Sequence, residues 1–404
     1  MANTLKFGNG QWASKEGSVL AYNDENNNFK PLPFDFTRAS GATRVNKDGL
    51  IEVVGSNEPR IDFQGNTKGA LLLEPSRTNK VSTSNDFNGS GWLAASLIAS
   101  ANQVISPDGT LNASKLEMIG DGSLRNQSEA SFNDGYAYSI FVKKGNSSYV
   151  TIRSAFFTQS FNCGFDLDTL TAEANGKIED YGNDWYRLSI TKNISGDADR
   201  SGFFYLYLPN SFGSQTSVSG NYAYFYGGQI EDGSYATSYI PTSAGAVTRV
   251  GDVCNNAGNE QVINSTEGVL YFEGSALVDE TIQRWISLGS GSNANRVSIL
   301  FNATSRISCS VRASSSALYD ANFNIGSQTN YTKAAIRYKN NDFAFFVNGV
   351  KANSQLSGTL SFNSPLSELA FDSADSGSPF YGKTSQIQVF TTALTDQELI
   401  ALTS

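Results

Sequence analysis

The sequence predicts an all-β protein with two β-sandwich (jelly-roll) domains in tandem, preceded by a small amino-terminal leader. The composition favours short strands and turns over helices, because only 17% of the 404 residues are charged while 37 are Gly, 26 Phe and 18 Tyr. Short strand-like blocks recur between Gly, Asn, Asp and Pro without helical periodicity. A chain of this length also exceeds what one hydrophobic core usually supports.

The leader is predicted to cover residues 1–80. Its Asn-rich and Pro-containing stretches leave room only for short strands, and its apolar residues are spread between turns. Such a segment cannot build a large core alone, so we expect it to pack on the following domain, on a symmetry mate or on another protein. A flexible tail is the alternative, which the apolar run 71–73 disfavours.

The first sandwich is predicted to cover residues 81–250. Its strand-like blocks extend from about residue 113 to residue 226, and each is bounded by turn-forming residues. Within 226–252, Gly227, Gly228, Gly233 and Pro241 interrupt any regular element. This stretch therefore predicts the end of one domain and the start of the next.

The second sandwich is predicted to cover residues 251–404. Asn348 and Gly349 separate two apolar blocks and predict a two-residue hairpin turn in which both residues adopt positive φ. Thr395 and Glu398 have the spacing of a capping box, which predicts one short helix near residue 404.

Several segments resemble those of known proteins. Residues 36–45 (FTRASGATRV), 69–79 (GALLLEPSRTN) and 228–252 resemble segments of tailed-bacteriophage fibre and virion surface proteins, and the last is similar to the end of a carbohydrate-binding-module-like jelly roll. The order of aromatic and polar blocks between residues 87 and 188 resembles the same jelly rolls. Residues 345–350 and 380–390 resemble concanavalin/laminin-G-like sandwiches.

The resemblance implies a non-enzymatic phage virion protein, a head or tail fibre, spike or surface decoration, that presents a glycan-binding or host-adhesion surface. Its partners would be a host cell-surface glycan and other virion proteins, and it would form a homo-oligomer, most simply a trimer. Residues 1–12 lack the apolar segment of a signal peptide, as expected for a virion protein made in the host cytoplasm. A structural virion component without a ligand and a polysaccharide depolymerase are the alternatives.

The composition also excludes several kinds of chemistry. The chain has no histidine, which removes His-dependent nucleophilic catalysis and histidine metal sites. A net charge of -9 without any basic run excludes a nucleic-acid partner, and no apolar stretch long enough to predict membrane insertion occurs. Cys163, Cys254 and Cys309 are widely spaced and predict buried free thiols.

Paired carboxylates could still serve a glycosidase. Asp166 with Asp168, and Glu231 with Asp232, are such pairs, but their sequence context favours strand ends and turns. We therefore expect solvated or turn-capping roles for them.

A binding surface for sugars needs aromatic rings and planar polar side chains. The candidates for carbohydrate binding are Trp92, Tyr149, Arg153, Phe157, Tyr205 and Tyr207. A core position is the alternative for each ring, because alternate residues of a strand point inward. We expect the principal ligand face on the first sandwich, provided that the blocks 149–157 and 203–207 lie side by side.

The concanavalin/laminin-G resemblance further implies a calcium ion at the rim loops, held by oxygen ligands. Asp342, Asn348 and Asp372 are the nearest matches to such a ligand set. Turn residues without a metal are the alternative, and no other cofactor is expected.

Overall fold

The computed structural model describes residues 5–23, 28–127, 129–156 and 160–404. These residues form strands β1 to β32 and one helix, α1, so the predicted all-β sandwich class is confirmed. Up to residue 79 the strands are β1 (Leu5–Gly8), β2 (Ser14–Lys15), β3 (Ser18–Asn23), β4 (Asn28–Thr37), β5 (Ala42–Val45), β6 (Ile51–Val54), β7 (Ile61–Asp62), β8 (Ala70–Leu73) and β9 (Arg77–Asn79).

Between residues 92 and 255 the strands are β10 (Trp92–Ile105), β11 (Leu111–Asn126), β12 (Ala130–Ser131), β13 (Gly135–Lys144), β14 (Tyr149–Phe156), β15 (Ser160–Asp166), β16 (Thr171–Ala172), β17 (Gly176–Asp180), β18 (Trp185–Asn193), β19 (Ser201–Tyr207), β20 (Tyr222–Asp232), β21 (Val247–Arg249) and β22 (Val253–Asn255). The remaining elements are β23 (Glu267–Ala276), β24 (Arg284–Gly289), β25 (Arg296–Ala303), β26 (Arg306–Ala313), β27 (Ser316–Asn324), β28 (Thr332–Lys339), β29 (Asp342–Val347), β30 (Val350–Gln355), β31 (Glu368–Ala370), β32 (Gly382–Phe390) and α1 (Asp396–Thr403).

The chain forms two compact units rather than a leader and two domains. The first unit contains the described residues of Met1–Gly41, Val54–Pro75 and Gly251–Ser404, and the second contains those of Ala42–Val53 and Ser76–Val250. Both this division and the sequence-based one separate the chain after Val250. The residues predicted as a leader, however, do not make a unit of their own.

Burial of apolar side chains explains this difference. Strands β1 and β8 both pair with β32, and β4 pairs with β22. Phe7, Phe34 and Phe36 are almost fully buried in the same core as Ile286 and Val389. The amino-terminal segment therefore finds the apolar partners that it needs within its own chain.

The first unit is a sandwich of two main sheets. One has the order β30-β29-β28-β23-β32-β8-β7, with β1 also paired to β32, and the other has the order β27-β26-β25-β24-β31. Inward-facing residues of both sheets, such as Phe272 and Ile299, share one core. Tyr271 and Glu273 alternate with the inward residues of β23 and therefore lie on the outer face of the large sheet.

Helix α1 covers part of that outer face. The Thr395 hydroxyl accepts a hydrogen bond from the Glu398 backbone N–H, and the Glu398 carboxylate accepts one from Thr395, so the predicted capping box is confirmed. Leu399 packs with Tyr271 and Phe346 of the sheet. In the part of the chain that the structure describes, no helix is long and apolar enough to cross a membrane.

Four buried charged side chains join the amino-terminal segment to the start of the carboxy-terminal one. Asp252 accepts hydrogen bonds from Arg38 Nη1 at 3.1 Å, from Arg60 Nη2 and from the Glu74 backbone N–H at 2.8 Å. Arg60 Nη1 also donates to Glu74 Oε2 at 2.6 Å. Burial alone would lower the pKa of Arg60, but the carboxylates of Asp252 and Glu74 raise it above its ordinary value, so the guanidinium stays charged.

The second unit is built around a sheet with the order β16-β15-β14-β19-β11-β20-β13-β18-β17. In the same sheet, β10 pairs with β11 and β12 pairs with β19. Its core is lined by alternate residues of these strands, among them Ile152, Phe204 and Phe225. The intervening residues of β14 and β19 point away from this core.

The three cysteines are buried free thiols, as predicted. Burial raises the pKa of Cys163 to about 12, and it raises those of Cys254 and Cys309 well above the ordinary value. These thiols therefore remain protonated and unreactive near neutral pH.

Candidate functional site

Two neighbouring strands of the second unit place aromatic and polar side chains on one face. Strands β14 and β19 pair in antiparallel fashion, with Arg153 opposite Tyr205 and Thr151 opposite Tyr207. Directly opposed residues of paired strands point to the same side, so these four share a face. The side-by-side arrangement of the two blocks, on which the predicted site depends, is confirmed.

A row of rings runs along β19 on this face. Phe203, Tyr205 and Tyr207 occupy alternate positions, and the rings of Tyr205 and Tyr207 stack with centroids 6.2 Å apart and planes inclined by 17°. Phe203 and Tyr205 are half-buried, whereas Tyr207 is only 9% exposed. Tyr205 is therefore better placed than Tyr207 to meet a ligand.

Two arginines flank the row of rings. The Arg153 guanidinium lies 5.7 Å from the centroid of Tyr205, and that of Arg125, on β11 opposite Tyr205, lies 4.4 Å from the centroid of Phe203. A guanidinium cation this close to an aromatic ring is attracted to the negative face of the ring, which favours a fixed position for its donors. Arg125 was missed in the sequence because nothing in the β11 block indicates which strand it adjoins.

Tyr149 begins β14 and is half-buried. Its ring meets that of Phe212 edge-on at 6.5 Å, and Phe212 is 42% exposed in the connection that follows β19. Phe212 was also missed, although a large apolar residue among Ser, Asn and Gly at positions 210–214 is the kind of signal that could have found it.

Several polar atoms on this face lack a partner. Thr151 Oγ1, Arg153 Nε and Asn162 Oδ1 are buried and form no hydrogen bond with any residue that the structure describes. Asn162 lies opposite Arg153 on β15, and Arg153 Nη2 donates to Ser160 Oγ at 3.2 Å. Because an unpartnered buried polar atom is destabilising, water or a ligand hydroxyl would lower the free energy of this surface.

One of the predicted residues, Trp92, does not join this face. Trp92 is 5% exposed, its ring packs against Phe87 with centroids 5.2 Å apart, and its indole N–H donates to the Thr83 carbonyl oxygen at 2.7 Å. Trp92 is therefore a core residue whose polar atom is already satisfied. Phe157 lies outside the described residues.

The predicted metal ligands lie apart. Asp342 begins β29 and accepts a hydrogen bond from Arg337 Nη2 at 2.8 Å, whereas Asn348 follows the other end of the same strand and accepts one from the Lys333 N–H at 2.9 Å. A separation of six residues along a strand is about 20 Å. Asn348 and Gly349 have φ of 48° and 78°, which confirms the predicted turn.

Asp372 lies beyond β31, on the other sheet of the first unit, and accepts a hydrogen bond from the Ala374 N–H at 2.7 Å. Burial raises the pKa of Asp372, which disfavours the charged form that a cation would need. Within the described ranges, no group of three or more His, Cys, Asp or Glu residues could hold a metal ion. Asp342, Asn348 and Asp372 thus do not make one site.

The paired carboxylates are engaged in local structure. Asp166 accepts backbone hydrogen bonds from Asp168 and Thr169, and Asp168 forms an ion pair with Lys144. Glu231 is buried and accepts a hydrogen bond from the Thr237 backbone N–H at 3.0 Å. These are turn and strand-end roles.

The family comparison concerns the first unit. A search of curated proteins finds no significant match. Among solved structures, the chain is similar to the IT-sialidase CBM40 of Ruminococcus gnavus, with 17% identity, a TM-score of 0.32 and coverage of 36% of this chain and 86% of that chain. It is also similar to domain 4 of AbnA, a GH43 extracellular arabinanase from Geobacillus stearothermophilus in complex with arabinotriose, with 15% identity, a TM-score of 0.32 and coverage of 43% and 83%.

A SAP-like pentraxin from Limulus polyphemus gives 12% identity, a TM-score of 0.29 and coverage of 34% of this chain and 70% of that chain. The family comparison is more specific and agrees with the resemblance found in the sequence. Residues 275–400 match the family described as the concanavalin A-like lectin/glucanases superfamily.

Proposed function

We propose that the protein is a non-catalytic glycan-binding protein of a phage virion, and that its principal ligand face lies on β14, β15 and β19 of the second unit. The observation that carries the proposal is the row of Phe203, Tyr205 and Tyr207 between the guanidinium groups of Arg125 and Arg153. Aromatic rings stack on the C–H faces of sugars, and guanidinium and amide groups hydrogen-bond their hydroxyls. Both kinds of group stand here on paired strands, which limits the entropy lost on binding.

Tyr205→Ala tests this face. We expect the substitution to weaken binding to host cells or to a responding glycan by about 1–3 kcal/mol, the range measured for rings that stack on nucleobases. The melting temperature should change little, because the Tyr205 ring is half-exposed. Tyr331→Ala is the matched control, since Tyr331 is 43% exposed and belongs to the first unit.

Two results would contradict the assignment. A large loss of melting temperature in Tyr205→Ala would make the ring a core residue, and equal loss of binding in Tyr331→Ala would remove the specificity for this face. A glycan array without any signal, together with co-purification of the protein with assembled particles, would favour a structural virion component. Release of reducing ends from a host polysaccharide would favour a depolymerase.

The virion role is supported by the resemblance of residues 36–45, 69–79 and 228–252 to phage fibre and surface proteins. Antibodies against the chain should label the head or tail of purified particles. The trimer is also a proposal, and the amino-terminal segment gives it no support, because many of its apolar residues, among them Phe7, Phe34 and Val45, are buried within the chain itself. Light scattering that returns a 43.5 kDa monomer at micromolar concentration would exclude the trimer.

A further inference from the structure

A polar groove of about 540 Å³ lies on the outer face of the large sheet in the first unit, beside α1. Its volume falls within the range of roughly 300–1,000 Å³ that small-molecule sites occupy. Its lining includes Lys6 of β1, Glu273 of β23, Lys333 of β28, Gln386 and Gln388 of β32, and Lys68 in the connection between β7 and β8. Residues of α1 close one side of it.

Specific contacts build the wall formed by the amino-terminal segment. Asn9 has a φ of 55°, and its backbone N–H donates to the Ser385 carbonyl oxygen at 2.8 Å. Lys68 Nζ then donates to Asn9 Oδ1 at 3.0 Å, and Asn66 Nδ2 donates to Ser385 Oγ at 2.9 Å. The Lys68 ammonium group is therefore held at the groove rather than extended into solvent.

The charges in the groove are unusual for this protein. The chain as a whole carries a net charge of -9, yet the described residues that line the groove include Lys6, Lys68 and Lys333 and one acidic side chain, that of Glu273. Lys333 donates to the backbone oxygen of Ser404. Lys68 forms no ion pair with an Asp or Glu side chain within the described ranges, and its hydrogen-bond partner Asn9 is uncharged, so this contact does not neutralise its charge.

The floor of the groove offers a second kind of chemistry. Gln386 and Gln388 alternate on β32 and are only 7% and 6% exposed, and their amide groups can both donate and accept hydrogen bonds. Glu273 accepts a hydrogen bond from the Tyr271 hydroxyl at 3.1 Å and retains further acceptor capacity. A ligand suited to this floor has several hydroxyl groups, and one suited to the lysines has a negative charge.

We propose that this groove binds an acidic saccharide, with a uronic acid carboxylate near Lys68 and Lys333 and sugar hydroxyls on Gln386, Gln388 and Glu273. Charge-assisted hydrogen bonds to the lysines would provide most of the selectivity. The site is separate from the aromatic face of the second unit and does not depend on it. Lys6, Lys68 and Glu273 lie outside residues 275–400, whereas Lys333, Gln386 and Gln388 lie within them, so the groove combines residues inside and outside the segment that matches the family.

The test compares a galacturonic acid tetramer with a neutral galactose tetramer by calorimetric titration of the full chain at low salt. We expect binding of the acidic tetramer that weakens as salt is added, and much weaker binding of the neutral one. The double substitution Lys68→Gln and Lys333→Gln should lower the affinity for the acidic tetramer at least about tenfold. Lys15→Gln, which changes an exposed lysine of β2 in the same unit, is the control and should have no effect.

Equal binding of the two tetramers, or an unchanged affinity in the double variant, would overturn the proposal. Inorganic phosphate that competes as well as the acidic tetramer would also overturn it, because the groove would then be a simple anion site. Tyr205→Ala separates this proposal from that of the principal face. It should leave binding of the acidic tetramer unchanged, and if it abolishes that binding, the acidic sugar occupies the second unit instead.

Discussion

The buried charge network of the first unit should be sensitive to a single uncharged replacement. Asp252→Asn keeps the size of the side chain and one oxygen for the Glu74 backbone N–H, but it removes the negative charge. Arg38 and Arg60 would then be buried with the carboxylate of Glu74 alone among the four members of the network. A guanidinium group that is completely buried cannot be hydrated instead, so loss of its interaction with the Asp252 carboxylate destabilises the folded state.

The expected cost follows from this burial. Removal of one partner from a buried ion pair destabilises a protein by about 3–5 kcal/mol, whereas an exposed pair contributes about 0–1 kcal/mol. In a unit of this size each kcal/mol lowers the melting temperature by about 2–4 °C, so Asp252→Asn should lower it by about 6–20 °C.

Calorimetry measures this shift, and hydrogen exchange assigns it to the first unit. Lys339→Met is the matched control, because it removes an ion pair of 3.0 Å between side chains that are 50% and 29% exposed. Arg60→Met combined with Asp252→Asn should cost less than the sum of the two single substitutions, since they share a network. If Asp252→Asn is as mild as Lys339→Met, or if the two substitutions add fully, the network does not stabilise the fold as argued.

Two further substitutions concern local features of the first unit. Thr395→Ala removes the hydroxyl that caps α1 and should cost about 0.5–2 kcal/mol in chemical denaturation, while Thr392→Ala at an exposed neighbouring position should cost little; equal effects would contradict the capping role. Burial raises the pKa of Asp372, so its contribution to stability is present at low pH and is lost as the pH rises through the ordinary value of 3.8 and the raised value. The free energy of unfolding of Asp372→Asn, relative to that of the wild type, should therefore increase between about pH 3 and about pH 7. A relative free energy of unfolding that decreases over this range would refute the prediction.

The features that the sequence predicted best depend on residues close together in the chain. The hairpin at Asn348 and Gly349 needs two adjacent residues that tolerate positive φ, and the cap of α1 needs a hydroxyl and a carboxylate three positions apart. The burial of Cys163, Cys254 and Cys309 followed from composition and spacing. Each of these predictions depends on a few neighbouring residues or on the composition of the chain, so it needs no knowledge of tertiary contacts.

The features that were missed depend on partners far away in the chain. Leu5 pairs with Val389 in a sheet and Arg38 forms an ion pair with Asp252, and no local sequence pattern indicates either contact. The division of residues 1–80 between two units follows from such contacts. The same limit applies to the binding face, because alternation in β19 shows which rings share a side but not that Arg125 of β11 lies beside them.

Trp92 illustrates why a ring cannot be assigned to a surface from its identity alone. The small and polar residues 88–91 before Trp92 do not indicate by themselves whether its ring is exposed or buried. A Cβ on Gly228 would lie 2.5 Å from the Trp92 ring, so the ring fits only because that position has no side chain. Gly228 is 136 positions from Trp92, and only the folded chain brings the two together.

The positions of the core residues along the chain also determine which fragments can be used to assign binding to one of the two units. The segment that matches the family model spans residues 275–400, but Phe7, Phe34 and Phe36 are buried in the same core as the apolar residues of that segment. A fragment that starts near residue 251 would lose these side chains and Arg60, expose their apolar partners and leave Asp252 without its two guanidinium groups. Failure of that fragment to bind would thus report loss of folding rather than absence of a site, and substitutions in the full chain are the sound way to assign binding to either unit.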